Sequence, residues 1–342
     1  MIKKIGGFLW ITLGLVAILL LTFACLGIPV FRSAGLIAQG SFGTWNDFTR
    51  TLVKTTPLLL TALGVLVAWR AGMYNIGGEG QFVIGGLSGA AVAQFAPGLP
   101  PSLMLGAILL ATVLGGALYA GLAGWLHVKR GVQVVVSTIL LNFIALEVLD
   151  WAVRGPLQEK KKQLPLTDLL AEGARLPRFS SQNDLHAGVI VAGLAVVIVG
   201  IVLFRTAWGY RVRLTGSNPG AAQAAGLRPG RIQVQAMMVS GALCGLAGGI
   251  EYTGMTAQIG TDLAQNWGFL AIPAALLGML HPLGAGLASL YFGALFAGSK
   301  NLEAFTKAGS TIVFVVQAVA VLGFVWLSRW SEERALRREA EA

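Results

Sequence analysis

LMLGAILLATVLGGALYAGLAGWLH, residues 103–127, contains no Asp, Glu, Lys or Arg. A helix rises about 1.5 Å per residue, so this run is long enough to cross a hydrocarbon core about 30 Å thick. Charge returns at once beyond it, at Lys129 and Arg130. Similar runs recur along the chain at roughly 8–30, 53–69, 80–97, 134–152, 187–204, 233–253, 266–280, 284–299 and 311–328. The pattern predicts an all-α membrane protein with about ten transmembrane helices. The runs at 80–97, 266–280 and 284–299 are short and glycine-rich. They are candidates for broken or re-entrant segments, which a bilayer tolerates only where the backbone faces protein or water.

Composition agrees. Apolar residues make up 55% of the 342, and only 12% are charged, against about 25% in average soluble domains. The net charge of +10 would suggest nucleic acid in a soluble protein. Here the basic residues sit in short segments between apolar runs, the pattern of membrane topology. No basic stretch interleaves with aromatics, so nucleic acid is not an expected partner. With Lys3 and Lys4 inside, ten spans return the C-terminus to the same side. Inside segments then hold Lys129, Arg130 and the stretch from Arg205 to Arg231. The bias is modest, because the external loop 155–186 carries Lys160, Lys161 and Lys162. Pro156, Pro165 and Pro177 punctuate that loop and predict turns and a short surface helix. The first run follows Met1-Ile-Lys-Lys, as a signal peptide would. It is longer than the usual apolar region of about 7–15 residues and lacks a small-residue cleavage site, so a retained first helix is expected. The chain is expected to form a single permease domain, with loop 155–186 outside and segment 205–232 inside.

Catalytic chemistry finds no support. The nearest approach to a phosphate loop is Gly293 and Gly298 before Ser299-Lys300, without Lys directly after the second glycine. His127, His186 and His281 lack metal-ligand spacing. Cys25 and Cys244 both lie in apolar runs, which excludes a disulfide framework. Neither a catalytic nor a metal site is expected.

Glycine accounts for 46 residues. Gly241, Gly245 and Gly249 share one helix face, and Gly85 and Gly89 repeat the spacing. Small residues so placed let helix backbones approach closely. The stretch from Ala71 to Gln81 sets Asn75, Glu79 and Gln81 among four glycines between two apolar runs. A carboxylate there is costly unless paired or wet. It is either an elbow beside a transport path or a loop whose Glu caps a helix start. Asn142 lies mid-run in the fifth span, Glu251 ends the seventh, and Trp267 opens the eighth after Asn266. Asn, Gln and Trp suit a solute with hydroxyls and a ring. Each equally suits an interhelical hydrogen bond, worth about 0.6–2 kcal/mol.

AGMYNIGGEGQFVIGG, residues 71–86, resembles the signature of permeases in the ribose and branched-chain amino-acid importer superfamily, nearest its nucleoside-import branch. VVVSTILLNFIALEVLDWAVRGPL (134–157), GSNPGAAQAAGLRPGRIQ (216–233) and SGALCGLAGGIEYTG (240–254) resemble the same branch. The similarity runs from about residue 50 to 330. It implies the permease subunit of an ATP-binding-cassette importer in a bacterial cytoplasmic membrane, with a fold of the cobalamin-importer type. It further implies a second, paralogous permease subunit, a cytoplasmic ATPase carrying the ATP and Mg, and an external substrate-binding lipoprotein. No cofactor would be bound by the permease itself. Nucleosides are the implied cargo, with a simple sugar or branched-chain amino acid as alternatives. A secondary transporter without an ATPase is a further alternative, but no convincing inverted repeat is visible.

The resemblance also implies a short helix that couples to the ATPase. The residues agree with such a helix. Asn218 is a good cap and Pro219 suits the first helical position. Ala221, Ala222 and Ala225 offer small side chains, and Gly226 suits a helix stop.

Overall fold

A computed structural model describes residues 30–305 except Pro97 and Ser181, with Ala17, Leu21, Ala24 and Ala318 as isolated positions beyond them. The spans expected at 8–30 and 311–328 lie outside the described residues. The described chain is helical, with two isolated bridges, Leu166 to Gly260 and Arg178 to His186, as its only extended pairings.

The helices are α1 Val30–Phe42, α2 Trp45–Arg70, α3 Gly78–Phe95, α4 Pro101–Arg130, α5 Val134–Arg154, α6 Gly188–Arg205, α7 Ala207–Ser217, α8 Pro219–Ala224, α9 Pro229–Ile250, α10 Trp267–Leu277 and α11 Pro282–Phe305. A π-helical turn, Glu251–Thr256, continues α9. Six helices among the described residues are long and apolar enough to cross a membrane: Trp45–Arg70, Leu103–Arg130, Val134–Arg154, Gly188–Arg205, Pro229–Thr256 and Pro282–Asn301.

Three sequence expectations change. The run at 80–97 forms α3 but is not among the six, since Glu79, Gln81 and Gln94 interrupt its apolar character. The run at 266–280 forms only the 11 residues of α10, about half a bilayer in length. The run at 284–299 is not short: α11 has 24 residues. The sequence reading also missed α1.

The described residues form two compact units, one of Val30–Thr51 with Tyr291–Phe305, the other of Leu52–Leu290. In the first, Ser41 Oγ lies 2.6 Å from the Ala294 carbonyl and 2.7 Å from that of Ile37. In the second, α3, α4 and α9 form the packed centre. Gly116 and Gly241 face each other so closely that a Cβ on either would strike the other's carbonyl. Gly245 lies against both Gly85 and Gly116, and Gly89 and Gly249 receive the Thr112 side chain. Backbones this close gain dispersion contacts that lipid tails cannot supply.

The opposite face of α4 is apolar and exposed: Leu110, Leu114, Leu118 and Leu122 follow one another at four-residue spacing. On α6, Ile190, Leu194, Val197, Ile198 and Ile201 are all more than half exposed. Apolar stripes of this size are unstable against water and are at rest against lipid. The chain is a multi-pass membrane protein.

Candidate functional site

The glycines of residues 71–81 bend the chain between α2 and α3 so that three polar side chains turn inward. Gly72 takes φ +75°, a conformation costly for other residues. Asn75, Glu79 and Gln81 are each 2% exposed or less. Asn75 Nδ2 donates to Gln81 Oε1 and to Ser240 Oγ, both at 2.9 Å. Gln81 Nε2 returns a bond to Asn75 Oδ1 at 3.0 Å, which also accepts from Gly77 N at 2.9 Å. The two amides thus satisfy each other and tie the elbow to α9.

From α5, Asn142 clamps the same elbow. Its Nδ2 donates to the Ile76 carbonyl at 3.0 Å and its Oδ1 accepts from Gly80 N at 2.8 Å. Thr138 Oγ1 accepts from Ile76 N at 3.3 Å. A bend in a membrane frees backbone groups that must find partners, and Asn142 supplies both a donor and an acceptor.

Glu79 holds the start of α10. Its Oε1 accepts from Asn266 N at 2.9 Å and its Oε2 from Gly268 N at 2.6 Å. The carboxylate therefore faces the positive end of a half-length helix, where negative charge is favoured. Gly268 lies so tight against the Glu79 backbone that a Cβ would collide with it. Of the two sequence readings of Glu79, helix capping describes the geometry, but the capped helix is one 188 residues further on in the chain rather than its own.

Trp267 lies between Asn266 and Gly268, the two residues that donate to Glu79, and Glu251 lies on a separate element. Glu251 is 3% exposed at the first position of the π-helical turn. Lys54, on α2, is the cation whose field reaches it. The Lys54 ammonium lies 5.4 Å from the centre of the buried Trp267 ring. Asn75, Gln81 and Asn142 therefore meet at the elbow, Glu79 reaches from it to the start of α10, and Lys54 lies over the Trp267 ring. Sequence reasoning missed Lys54, Ser240 and Gly268. Lys54 had a signal, being a charge within an apolar run. Gly268 had none.

Loop 155–186 runs along the π turn and the segment after it. Leu176 N donates to the Thr253 carbonyl, Leu170 N to Ala257 and Thr167 N to Ile259, at 3.0, 2.9 and 2.9 Å. A short 3-10 turn, Glu172–Ala174, is the helical element of this loop. Between it and α3 lies a cavity of about 620 Å³ bordered by Gln94, Met104, Lys160, Thr167, Asp168 and Tyr252. His186 closes the loop, with its Nδ1 accepting from Gly188 N at 3.1 Å. Burial, and next the charge of Arg178, hold its pKa down to about 4, against an upward pull from Asp184.

Between α7 and α9 the chain forms α8, six residues long. Asn218 Oδ1 accepts from Ala221 N at 3.0 Å, Pro219 opens the helix, and Gly226 takes φ +78° just beyond it. Ala221 and Ala225 are exposed, but Ala222 is fully buried. Its small side chain serves packing within this chain and is closed to an outside partner. Among the described residues no group of three His, Cys, Asp or Glu stands close enough to hold a metal.

Residues 48–323 match the family of the branched-chain amino acid transport system permease component. The glucose ABC transporter permease protein TsgB13 of Haloferax volcanii is 34% identical over 80% of this chain and 74% of its own. The guanosine ABC transporter permease protein NupP of Bacillus subtilis is 30% identical over 86% of both chains. The nucleoside ABC transporter permease protein NupB of Lactococcus lactis is 31% identical over 77% of this chain and 74% of its own. No solved structure matches.

Proposed function

We infer cargo and assembly from one premise: the chain belongs to the family of branched-chain amino acid transport system permease components, the membrane subunits of ATP-binding-cassette importers. It is a permease, and ATP hydrolysis belongs to a separate subunit. The cargo we propose is a nucleoside. The observation that carries this is the match to NupP, which extends over 86% of both chains. A hexose is the second reading, favoured by the 34% identity to TsgB13.

The proposed assembly pairs this chain with a second, related permease, cytoplasmic ATPases and an external substrate-binding lipoprotein, in a bacterial cytoplasmic membrane. Two Bacillus subtilis relatives, NupP and NupQ, both carry the name of guanosine permease, which supports a paired arrangement. The complete bundle in this reading has about ten helices of the cobalamin-importer type. It is one permease domain, with loop 155–186 outside and segment 205–232 inside. Residues 218–226 seat against the ATPase through the exposed Ala221 and Ala225, with Asn218, Pro219 and Gly226 setting the helix bounds. The network of Asn75, Glu79, Gln81 and Asn142 braces the path and gives α10 a fixed start, while Glu251 and Trp267 face the cargo. The glycines at 85, 89, 241, 245 and 249 keep the central helices close enough to move as a block.

The test is uptake by the complete importer in proteoliposomes, with labelled guanosine, glucose and leucine compared side by side. ATP-dependent accumulation of guanosine is the expected result. Accumulation of leucine alone would end the nucleoside and the hexose readings together.

A further inference from the structure

Lys129 and Arg231 come from two helices distant in sequence and border one groove. The groove has a volume of about 280 Å³ and is lined by Trp125, Val128, Lys129, Arg231, Val234 and Gln235. One wall is the end of α4 and the other is the start of α9. These are the ends of two membrane spans, Leu103–Arg130 and Pro229–Thr256. The groove therefore lies where hydrocarbon gives way to headgroups. The two helix ends meet closely there, since a Cβ on Gly230 would strike the Val128 side chain.

Charged and apolar surface are both present in this groove. Lys129 and Arg231 are exposed. Among the described residues, neither has a carboxylate within the 4.0 Å of an ion pair. Residues 80–146 and 185–250, which include both walls, contain no Asp or Glu. Arg130 and Arg228 add further positive charge at the same two helix ends. Trp125, Val128 and Val234 supply the apolar lining. Trp125 is exposed and continues the lipid-facing stripe of α4 beyond Leu118 and Leu122. Tryptophan is enriched at the membrane–water boundary, and a second indole stands here. Trp208 of α7 donates through Nε1 to Gln235 Oε1 at 3.1 Å. Basic pockets between membrane helices favour anionic headgroups.

We propose that this groove binds an anionic phospholipid. Its phosphodiester sits between Lys129 and Arg231, and an acyl chain runs along Trp125, Leu122 and Leu118. The Arg231 guanidinium offers two parallel N–H donors to the phosphate oxygens, and the Lys129 ammonium adds a point charge. A free phosphate would answer the two cations and leave the apolar continuation unused. A soluble protein segment would reach the cations but not Leu118 and Leu122, which lie within the span. A lipid uses both surfaces, and its charge is the one that these acid-free walls lack.

The test takes the complete importer in detergent, stripped of lipid, and titrates it with dioleoyl phosphatidylglycerol, dioleoyl phosphatidylcholine and inorganic phosphate. Bound lipid is counted by native mass spectrometry. Wild type should prefer phosphatidylglycerol to phosphatidylcholine, and inorganic phosphate should not displace it. A basic residue beside anionic lipid is worth about fivefold in affinity. Lys129→Gln combined with Arg231→Gln should therefore weaken phosphatidylglycerol by about 25-fold and leave phosphatidylcholine little changed. Lys161→Gln combined with Lys162→Gln removes the same charge from loop 155–186 and should bind as wild type does. Equal losses in the two double variants would reveal diffuse charge and overturn the proposal. So would displacement by inorganic phosphate, or a wild type without preference. If the 129/231 variant keeps the lipid preference but loses the ATPase or the second permease, the groove is a protein contact and the proposal falls. Should that variant fail to accumulate, Lys129→Gln and Arg231→Gln are measured singly, each expected to weaken phosphatidylglycerol by about fivefold. Single variants that bind as wild type does, or that also fail to accumulate, assign these cations a structural role and overturn the proposal.

Discussion

Asn142 illustrates how much a single side chain does at the elbow. It is the shared partner of one backbone donor, Gly80 N, and one acceptor, the Ile76 carbonyl. Asn142→Ala leaves both unpaired inside the protein, at about 1–3 kcal/mol each. Its thermal unfolding midpoint in detergent should fall by several degrees, while Ser137→Ala, which loses only a bond within its own helix, should shift it far less. Equal midpoints for the two variants would show that the elbow does not depend on Asn142. His186 gives a pH-dependent counterpart outside the spanning helices. Its folded pKa of about 4 lies below the unfolded value of about 6.5. The unfolded state therefore takes the proton first as pH falls. The stabilisation is complete above about pH 6.5 and is lost progressively between there and pH 4. Midpoints measured from pH 7.5 to 4.5 should drop more steeply in wild type than in His186→Gln. Parallel curves would mean that burial of this imidazole does not govern the loop.

At the scale of elements, α8 separates two alanines that look alike in sequence. Ala225 is exposed and Ala222 is enclosed. Arg at 225 should therefore leave the chain folded and at normal membrane levels, while weakening ATPase co-purification and uptake. Arg at 222 should instead lower the amount of folded chain, since a guanidinium has no room there. If Ala225→Arg retains full uptake and ATPase binding, this helix is a connector and coupling lies elsewhere. The central seam is an element-scale feature too. Gly241 and Gly116 meet backbone to backbone, so any side chain at Gly241 must separate α4 from α9. Gly241→Leu should reduce folded protein sharply, and Gly106→Leu, where a Cβ meets nothing within 4 Å, should be tolerated. Normal yields from both would remove the seam as a source of stability.

For the whole molecule, the sharpest statement concerns sidedness. One span, Gly188–Arg205, separates loop 155–186 from the segment that holds α8. Reporter fusions after Ser180 and after Gly220 should report opposite sides of the membrane. The same side for both would break the proposed arrangement, with loop 155–186 outside and residues 218–226 against the ATPase. Sequence reasoning reached the membrane class through long uncharged runs, because length and hydropathy are properties of a segment by itself. The family resemblance implied α8, and its cap, proline and closing glycine, which all act within nine residues, agreed with it. Sequence reasoning placed Asn75, Glu79, Gln81 and Asn142 on a list of polar residues in apolar surroundings, but it could not sort them. Glu79 and Asn266 are 187 positions apart and their bond depends on how α3 and α10 pack. Burial of Ala222, the partners of Asn142 and the placement of Lys54 over the Trp267 ring were likewise decided by tertiary structure alone. The physical reason is range. Helix formation, capping and lipid solvation are settled by residues a few positions apart, whereas a buried hydrogen bond or a facing charge belongs to two distant segments that only the packed bundle brings together.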